Sequence, residues 1–428
     1  MNRPGIAQGP VRFDSYESGG TKPSLVPIVF KWLFLAFWIP CLAFPFAFVW
    51  VKLFGGTALI ALIWMRGIRQ VDASDLAVVV ILVLGAIYLG IPYSNGAIGQ
   101  FELGYLVPLH IVFPLYWWLM LRNLRWQDLN LLSDATFAAA WLSLAYSMGL
   151  LLESAGLLPV PMPHFYEVEN TDLNSLRVAS SAVSGLLFSA PVVAIHLLER
   201  KSMLANAVLL IFAVGILATG RRSILFGIVI AVVINQLVFV SNMKARIAAL
   251  VSLCALLVAG SIMYAFDYLS LQSMLSERWD TLSLYDEMAR VDQTYSLLEG
   301  FWKHPVIGNG LGSSVAVIRD EVTPWRYELS YIAALFRYGV LACGLLLWLY
   351  VTPVIRVFSH YSQLQPKQRA LIVGVLGAYI AYAFNPVLDA FDAVWISFLP
   401  FLMSSLLRER AQTAGADDGR RVRKYSTS

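Results

Sequence analysis

Two arginines stand side by side, Arg221 and Arg222, in the stretch LATGRRSILFG, with no acid next to them. Adjacent guanidiniums repel each other, and an arginine at the bilayer centre costs about 2.5–3.5 kcal/mol. A partner with more than one negative charge relieves both costs. Arginine is always charged and meets phosphate oxygens in bidentate fashion. The pair therefore reads as a phosphate or pyrophosphate clamp. The plainer reading is two arginines reaching lipid headgroups along their stems. Arg337, in YIAALFRYGVLACG, lies roughly 15 Å into an apolar run at ~1.5 Å per residue. There it either binds substrate or pairs with an internal acid. Glu328 lies near the start of the same run.

A less apolar segment, residues 267–327, precedes that run. Val291, Tyr295, Leu298 and Trp302 fall on one face at helical spacing. Arg290 begins this helix and His304-Pro305 ends it, because proline disfavours a helical residue before it. The turn Gly308-Asn309-Gly310-Leu311-Gly312 follows. Glycines let backbone N–H groups approach a ligand closely, although such turns also simply connect helices. His110 reads as an interhelical hydrogen-bonder, and Asn206 and Asn235 as packing glue.

These residues need a scaffold, and composition says which kind. Of 428 residues, 58% are hydrophobic and only 14% are charged, with a mean hydropathy of +0.68. Soluble domains carry roughly 25% charged residues. A soluble enzyme and a disordered chain are excluded. Apolar runs of about 20 residues are expected at 26–44, 47–65, 75–94, 103–121, 134–156, 178–198, 203–219, 223–241, 247–266, 328–351, 370–387 and 392–408. Open sheets do not survive in lipid, and barrel-type alternation is absent, so the expected class is all-α.

The chain then divides into an N-terminal tail (1–25), spans one to nine (26–266), an external loop (267–327), spans ten to twelve (328–408) and a C-terminal tail (409–428). Lys and Arg gather in alternate loops, at Arg66 and Arg69, Arg122 and Arg125, Arg200 and Lys201, and Lys367 and Arg369. This bias places both termini in the cytoplasm and the 267–327 loop outside. A second external stretch, about 157–177, is kept irregular by Pro159, Pro161 and Pro163. The three cysteines have no metal-ligand spacing. No metal, cofactor or nucleic acid is expected.

Three stretches resemble the O-antigen polymerase/ligase superfamily of bacterial membrane glycosyltransferases. They are TGRRSILFGIVIAVVI (219–234), RVDQTYSLLEGFWKHPVIGNGLGSS (290–314) and YELSYIAALFRYGVLACGLLLW (327–348). The resemblance implies a fold like that of the C-class glycosyltransferases, with a large helical periplasmic loop. It implies a glycan donor linked to undecaprenyl pyrophosphate and metal-independent transfer to an acceptor hydroxyl. Arg221 or Arg222, with Arg290, would hold the pyrophosphate, and Arg337 is a further candidate. His304 would lie near the reacting centre, and the Gly308–Gly312 turn would shape the site. Glu328 or His304 could take the acceptor proton. Ligases place a histidine where the external loop re-enters the membrane; here Tyr327-Glu328 stands there. The expected activity is a polysaccharide polymerase in the inner membrane, with a lipid A-core ligase and a lipid-linked glycan flippase as rivals. A chain-length regulator and a flippase are expected partners, besides membrane lipid.

Overall fold

The computed structural model describes residues 25–45, 47–67, 73–158, 161–163, 170–172, 177–179, 181–200, 202–219, 222–236, 291–318, 324–325, 327, 329–358 and 364–381. These are almost entirely helical. The helices are α1 (Leu25–Ala43), α2 (Val49–Met65), α3 (Ala73–Ser94), α4 (Gln100–Val107), α5 (Phe113–Leu121) and α6 (Trp126–Ser154). Then come α7 (Ser181–Glu199), α8 (Met203–Ala218), α9 (Arg222–Ile234), α10 (residues 291–303), α11 (Ser330–Phe358) and α12 (Pro366–Ala381). Five of them, counting α4 and α5 as one run, are long and apolar enough to cross a membrane. The architecture is that of a helical membrane protein. Two of the expected spans, 247–266 and 392–408, lie outside the described residues, as do both tails.

Local chemistry explains the helix ends. The Asp128 carboxylate accepts the Arg125 N–H at 2.8 Å where α6 begins. The Ser202 hydroxyl accepts the Ala205 N–H at 3.0 Å and so caps α8. Pro366 opens α12, where a missing N–H costs nothing. Between α4 and α5 the chain widens into a π turn, Pro108–Val112. Pro108 and Pro114 have no N–H to give to the ladder there. One stretch departs from expectation. Within 157–177 and just beyond it, Asn170–Asp172 and Arg177–Ala179 pair as two antiparallel three-residue strands, Thr171 opposite Val178.

The main core is built by α1, α6, α7, α9 and α12. Lipid offers no hydrophobic drive between helices, so close approach of small residues does the work. A Cβ on Gly374 of α12 would lie 2.4 Å from the Val192 Cα of α7. One on Gly377 would lie 2.7 Å from the Ala231 N of α9. Buried Lys52 is satisfied by the carbonyls of Phe44 and Pro45 in the α1–α2 turn.

Ion pairs gather the charged loops at one end of this bundle. Arg66 meets Asp128 at 3.0 Å, Arg122 meets Asp75 at 3.1 Å, Lys367 meets Asp134 at 2.5 Å and Arg369 meets Glu199 at 3.6 Å. Trp118 also donates to Asp75, at 2.9 Å. Helix α8 runs away from this end, so Thr219 after its last turn and Arg222 at the start of α9 lie at the opposite end. So do the 95–99 turn and the last turn of α12, where the Tyr331 hydroxyl donates to the Tyr379 carbonyl at 2.9 Å.

The two kinds of pair differ in worth. Arg122 and Asp75 are 6% and 3% exposed, Lys367 and Asp134 40% and 47%. Breaking a buried pair leaves a buried charge and costs about 3–5 kcal/mol, whereas an exposed pair is worth about 0–1 kcal/mol. Asp75→Ala is therefore expected to lower the thermal midpoint in detergent far more than Asp134→Ala. Equal midpoints for the two variants would contradict this ranking.

Candidate functional site

Helix α11 is broken at Gly339, whose φ of 63° and ψ of −177° are not helical. Among the rungs of the helical ladder that a break at this position opens are those from Val340 N–H to Phe336 C=O and from Leu341 N–H to Arg337 C=O. The segment after α10 closes all four groups. Val340 N–H donates to the Pro305 carbonyl at 2.9 Å, and Leu341 N–H to that of Val306 at 3.3 Å. In return, Asn309 N–H donates to the Phe336 carbonyl at 3.0 Å and Gly310 N–H to that of Arg337 at 2.9 Å. The Asn309 side-chain amide reinforces this, donating to the carbonyls of Phe336 at 3.1 Å and Gly300 at 3.0 Å.

The same turn enters the far end of the bundle. Leu311 N–H donates to the Tyr88 carbonyl at 2.6 Å, and the Tyr88 hydroxyl donates to the Tyr338 carbonyl at 2.9 Å. Three glycines make the approach possible. Gly308, Gly310 and Gly312 have φ of 80°, 90° and 93°. A Cβ would fall 2.3 Å from the Arg337 carbonyl at Gly308, 2.4 Å from Pro92 at Gly310 and 2.6 Å from Leu106 at Gly312. Of the two readings of this turn, these bonds fit the one in which it connects helices. The N–H groups of Gly308, Asn309, Gly310 and Leu311 all donate to backbone carbonyls, so none of them is left for an anion.

Asn309 of the turn, with the residues that follow it, lines a cleft of about 390 Å³. Asn309, Ser313, Ser314 and Phe336 line one side, Ser296, Glu299 and Lys303 of α10 another, and Pro92 and Asn95 a third. Glu299 and Lys303 pair at 3.1 Å, both well exposed. The surface is mixed in sign and rich in hydroxyl and amide groups. It suits a neutral polyhydroxylated ligand more than a free anion. His304, at the end of α10, is exposed, and its carbonyl takes the Gly308 N–H at 2.7 Å.

Arg337 lines a different cavity, of about 10 Å³, with Tyr105, His110, Gly312 and Trp325. That is room for about one water and not for a diphosphate. Its guanidinium donates to the Trp325 carbonyl and lies 5.4 Å from the centre of the Tyr327 ring. No carboxylate among the described residues pairs with it. The Tyr327 hydroxyl accepts the Val315 N–H at 2.9 Å. Burial pushes its pKa upward, against the opposing pull of the Arg337 charge and the Val315 hydrogen bond. His110 makes no hydrogen bond among the described residues, contrary to the role expected of it. Asn206 is exposed rather than packed between helices, and Asn235 is buried.

Arg221, Arg290 and Glu328 lie outside the described residues. Arg222 is the first residue of α9, at the same end of the bundle as the cleft. Sequence reasoning did not find Asn95, Ser296, Glu299, Lys303 and Asn309 as one group. Ser296, Glu299 and Lys303, three and four residues apart, were the available signal.

No family model matches the chain, and no curated protein matches it.

Gly308→Ala is expected to undo the turn, since it adds both a backbone strain and a 2.3 Å clash with a carbonyl. Gly344→Ala meets nothing within 4 Å and is expected to be neutral. Limited proteolysis of the purified protein reads the difference. Equal resistance at residues 304–318 in both variants would refute the assignment.

Proposed function

We propose that this protein is a polytopic polymerase of the inner membrane. It joins undecaprenyl-pyrophosphate-linked oligosaccharide repeats into an exopolysaccharide or O-antigen. The observation that carries the reading is the cleft lined by Asn309 of the HPVIGNGLG element and by Ser313–Ala316 just after it, at the end of the bundle where α9 begins with Arg222. The resemblance of the three sequence stretches supplies the chemistry. On this reading there are about twelve spans, the ion-paired end faces the cytoplasm and the cleft faces the periplasm.

The donor's diphosphate docks on Arg221 and Arg222, with Arg290. The acceptor hydroxyl, at the end of a second carrier-linked glycan, attacks the anomeric carbon from the face opposite the diphosphate. The new glycosidic C–O bond forms as the bond to the diphosphate breaks, and the configuration inverts. The hydroxyl proton passes to Glu328 or His304. The carrier leaves as a diphosphate, whose added negative charge the arginines stabilise. The hydroxyl- and amide-lined cleft holds sugar. Arg337 acts as a positioning residue behind the Gly308–Gly312 turn. A chain-length regulator and a flippase are the partners this reaction calls for.

Deletion of the gene, followed by analysis of carrier-linked glycans, separates the readings. Single repeats on the periplasmic leaflet are expected. Carrier-linked polymer would point instead to a ligase, and repeats trapped on the inner leaflet to a transporter. Arg221→Ala and Arg290→Ala are each expected to abolish polymer at normal protein level. Glu328→Gln or His304→Ala, whichever removes the base, is expected to slow transfer by about 10²–10⁴-fold.

A further inference from the structure

Helix α10 carries three stripes, not two. Gln293, Leu297 and Phe301 are buried, Leu297 against Tyr327, Ala333 and Phe336. Ser296, Glu299, Gly300 and Lys303 line the cleft. The third stripe is apolar and bare. Tyr295 is 70% and Trp302 71% exposed, and Val291 is exposed beside them. Val306 and Ile307, just past the helix, are exposed as well.

This stripe is not isolated. The hydrogen bonds from Val340 and Leu341 to Pro305 and Val306 set the end of α10 against α11. Val340, Leu341, Leu347 and Trp348 are exposed apolar residues of α11, and all four fall in the apolar span Ser330–Leu349. In a helical membrane protein that exposed surface faces lipid. The α10 stripe continues it without a polar break at Pro305–Ile307. Isolated exposed apolar residues need no explanation, but a contiguous patch marks an interface. Tyrosine and tryptophan are the residues that favour the headgroup boundary, and a helix with one apolar and one charged stripe lies in that boundary.

We propose that α10 lies in the bilayer interface, with Val291, Tyr295, Trp302, Val306 and Ile307 against lipid. The cleft then opens at the membrane surface, and its Glu299–Lys303 side looks along the headgroup layer. The proposal goes beyond the glycosyl-transfer reading and stands without it. It describes how the helix sits, whatever the cleft binds.

The test uses the full chain in lipid nanodiscs, with Cys41, Cys254 and Cys343 replaced by serine. Single cysteines at Tyr295→Cys, Trp302→Cys and Val306→Cys carry a bimane label, and Leu347→Cys serves as the lipid reference. Ser296→Cys and Lys303→Cys report the cleft. Brominated lipid is expected to quench the labels at 295, 302 and 306 as strongly as that at 347. Aqueous iodide is expected to quench those at 296 and 303 instead. Iodide quenching at 295 and 302 would overturn the proposal. Resistance to both quenchers there would overturn it too, since a protein segment would then cover the stripe. Should Trp302→Cys not fold, as judged by gel filtration, 295 and 306 decide the matter.

Discussion

A backbone that is interrupted within a membrane protein must find new partners for the groups it frees. Each unsatisfied N–H or C=O in hydrocarbon costs several kcal/mol. Of the groups that the break at Gly339 frees, the segment from Pro305 to Gly310 meets two donors and two acceptors, and the Tyr88 hydroxyl meets the Tyr338 carbonyl. The exchange is reciprocal, so neither element is complete without the other. α11 would lose two rungs of its ladder, and the 304–312 turn would lose the carbonyls that hold it. The side-chain amide of Asn309 adds a third tie, joining α10 to α11 through Gly300 and Phe336. Much else at this end of the molecule follows from that exchange. It fixes the direction in which α10 leaves α11, and hence which stripe of α10 meets the cleft.

Glycine is required here for two separate reasons. At Gly308, Gly310 and Gly312 the backbone is left-handed, which disfavours any side chain. At the same positions a Cβ would fall within 2.6 Å of protein atoms. Either reason alone would select glycine. Together they mark the turn as a joint between helices, with its N–H groups already used. A phosphate would have to be held by side chains, and on the proposed reading those are arginines from other elements.

Some of this was open to sequence reasoning and some was not. The spans at 47–65, 75–94 and 203–219 are within two residues of α2, α3 and α8, because long apolar runs declare themselves. Pro305 marked the end of α10 correctly, since its effect is local. The role of the GNGLG turn was hidden, because its docking partners Tyr88 and Pro92 lie more than 200 residues away in the chain. The stripe of Val291, Tyr295, Leu298 and Trp302 was visible as a period, but its direction was not. In a soluble protein an apolar stripe points inward. Beside a membrane both sides are apolar, and here the buried stripe is Gln293, Leu297 and Phe301. The depth of Arg337 could be counted from the sequence. Its partners, a carbonyl and an aromatic ring, could not.

The two ends of the bundle handle positive charge differently, and this bears on what the cleft end can do. At the α6 start, Arg66, Arg122, Lys367 and Arg369 each meet a carboxylate. At the other end, among the described residues, Arg337 meets the Trp325 carbonyl dipole and the Tyr327 ring. Neither of these carries a full negative charge. Coulomb interactions weaken only as the inverse of distance and are stronger where water is excluded. The potential of the Arg337 charge is felt at Gly312, which lines the same small cavity. That potential favours ligands bearing negative charge near the turn, while the hydroxyls and amides of the cleft favour neutral ones. A glycan carried on a diphosphate has both parts, and this pairing is the physical sense in which the proposed substrate suits the site.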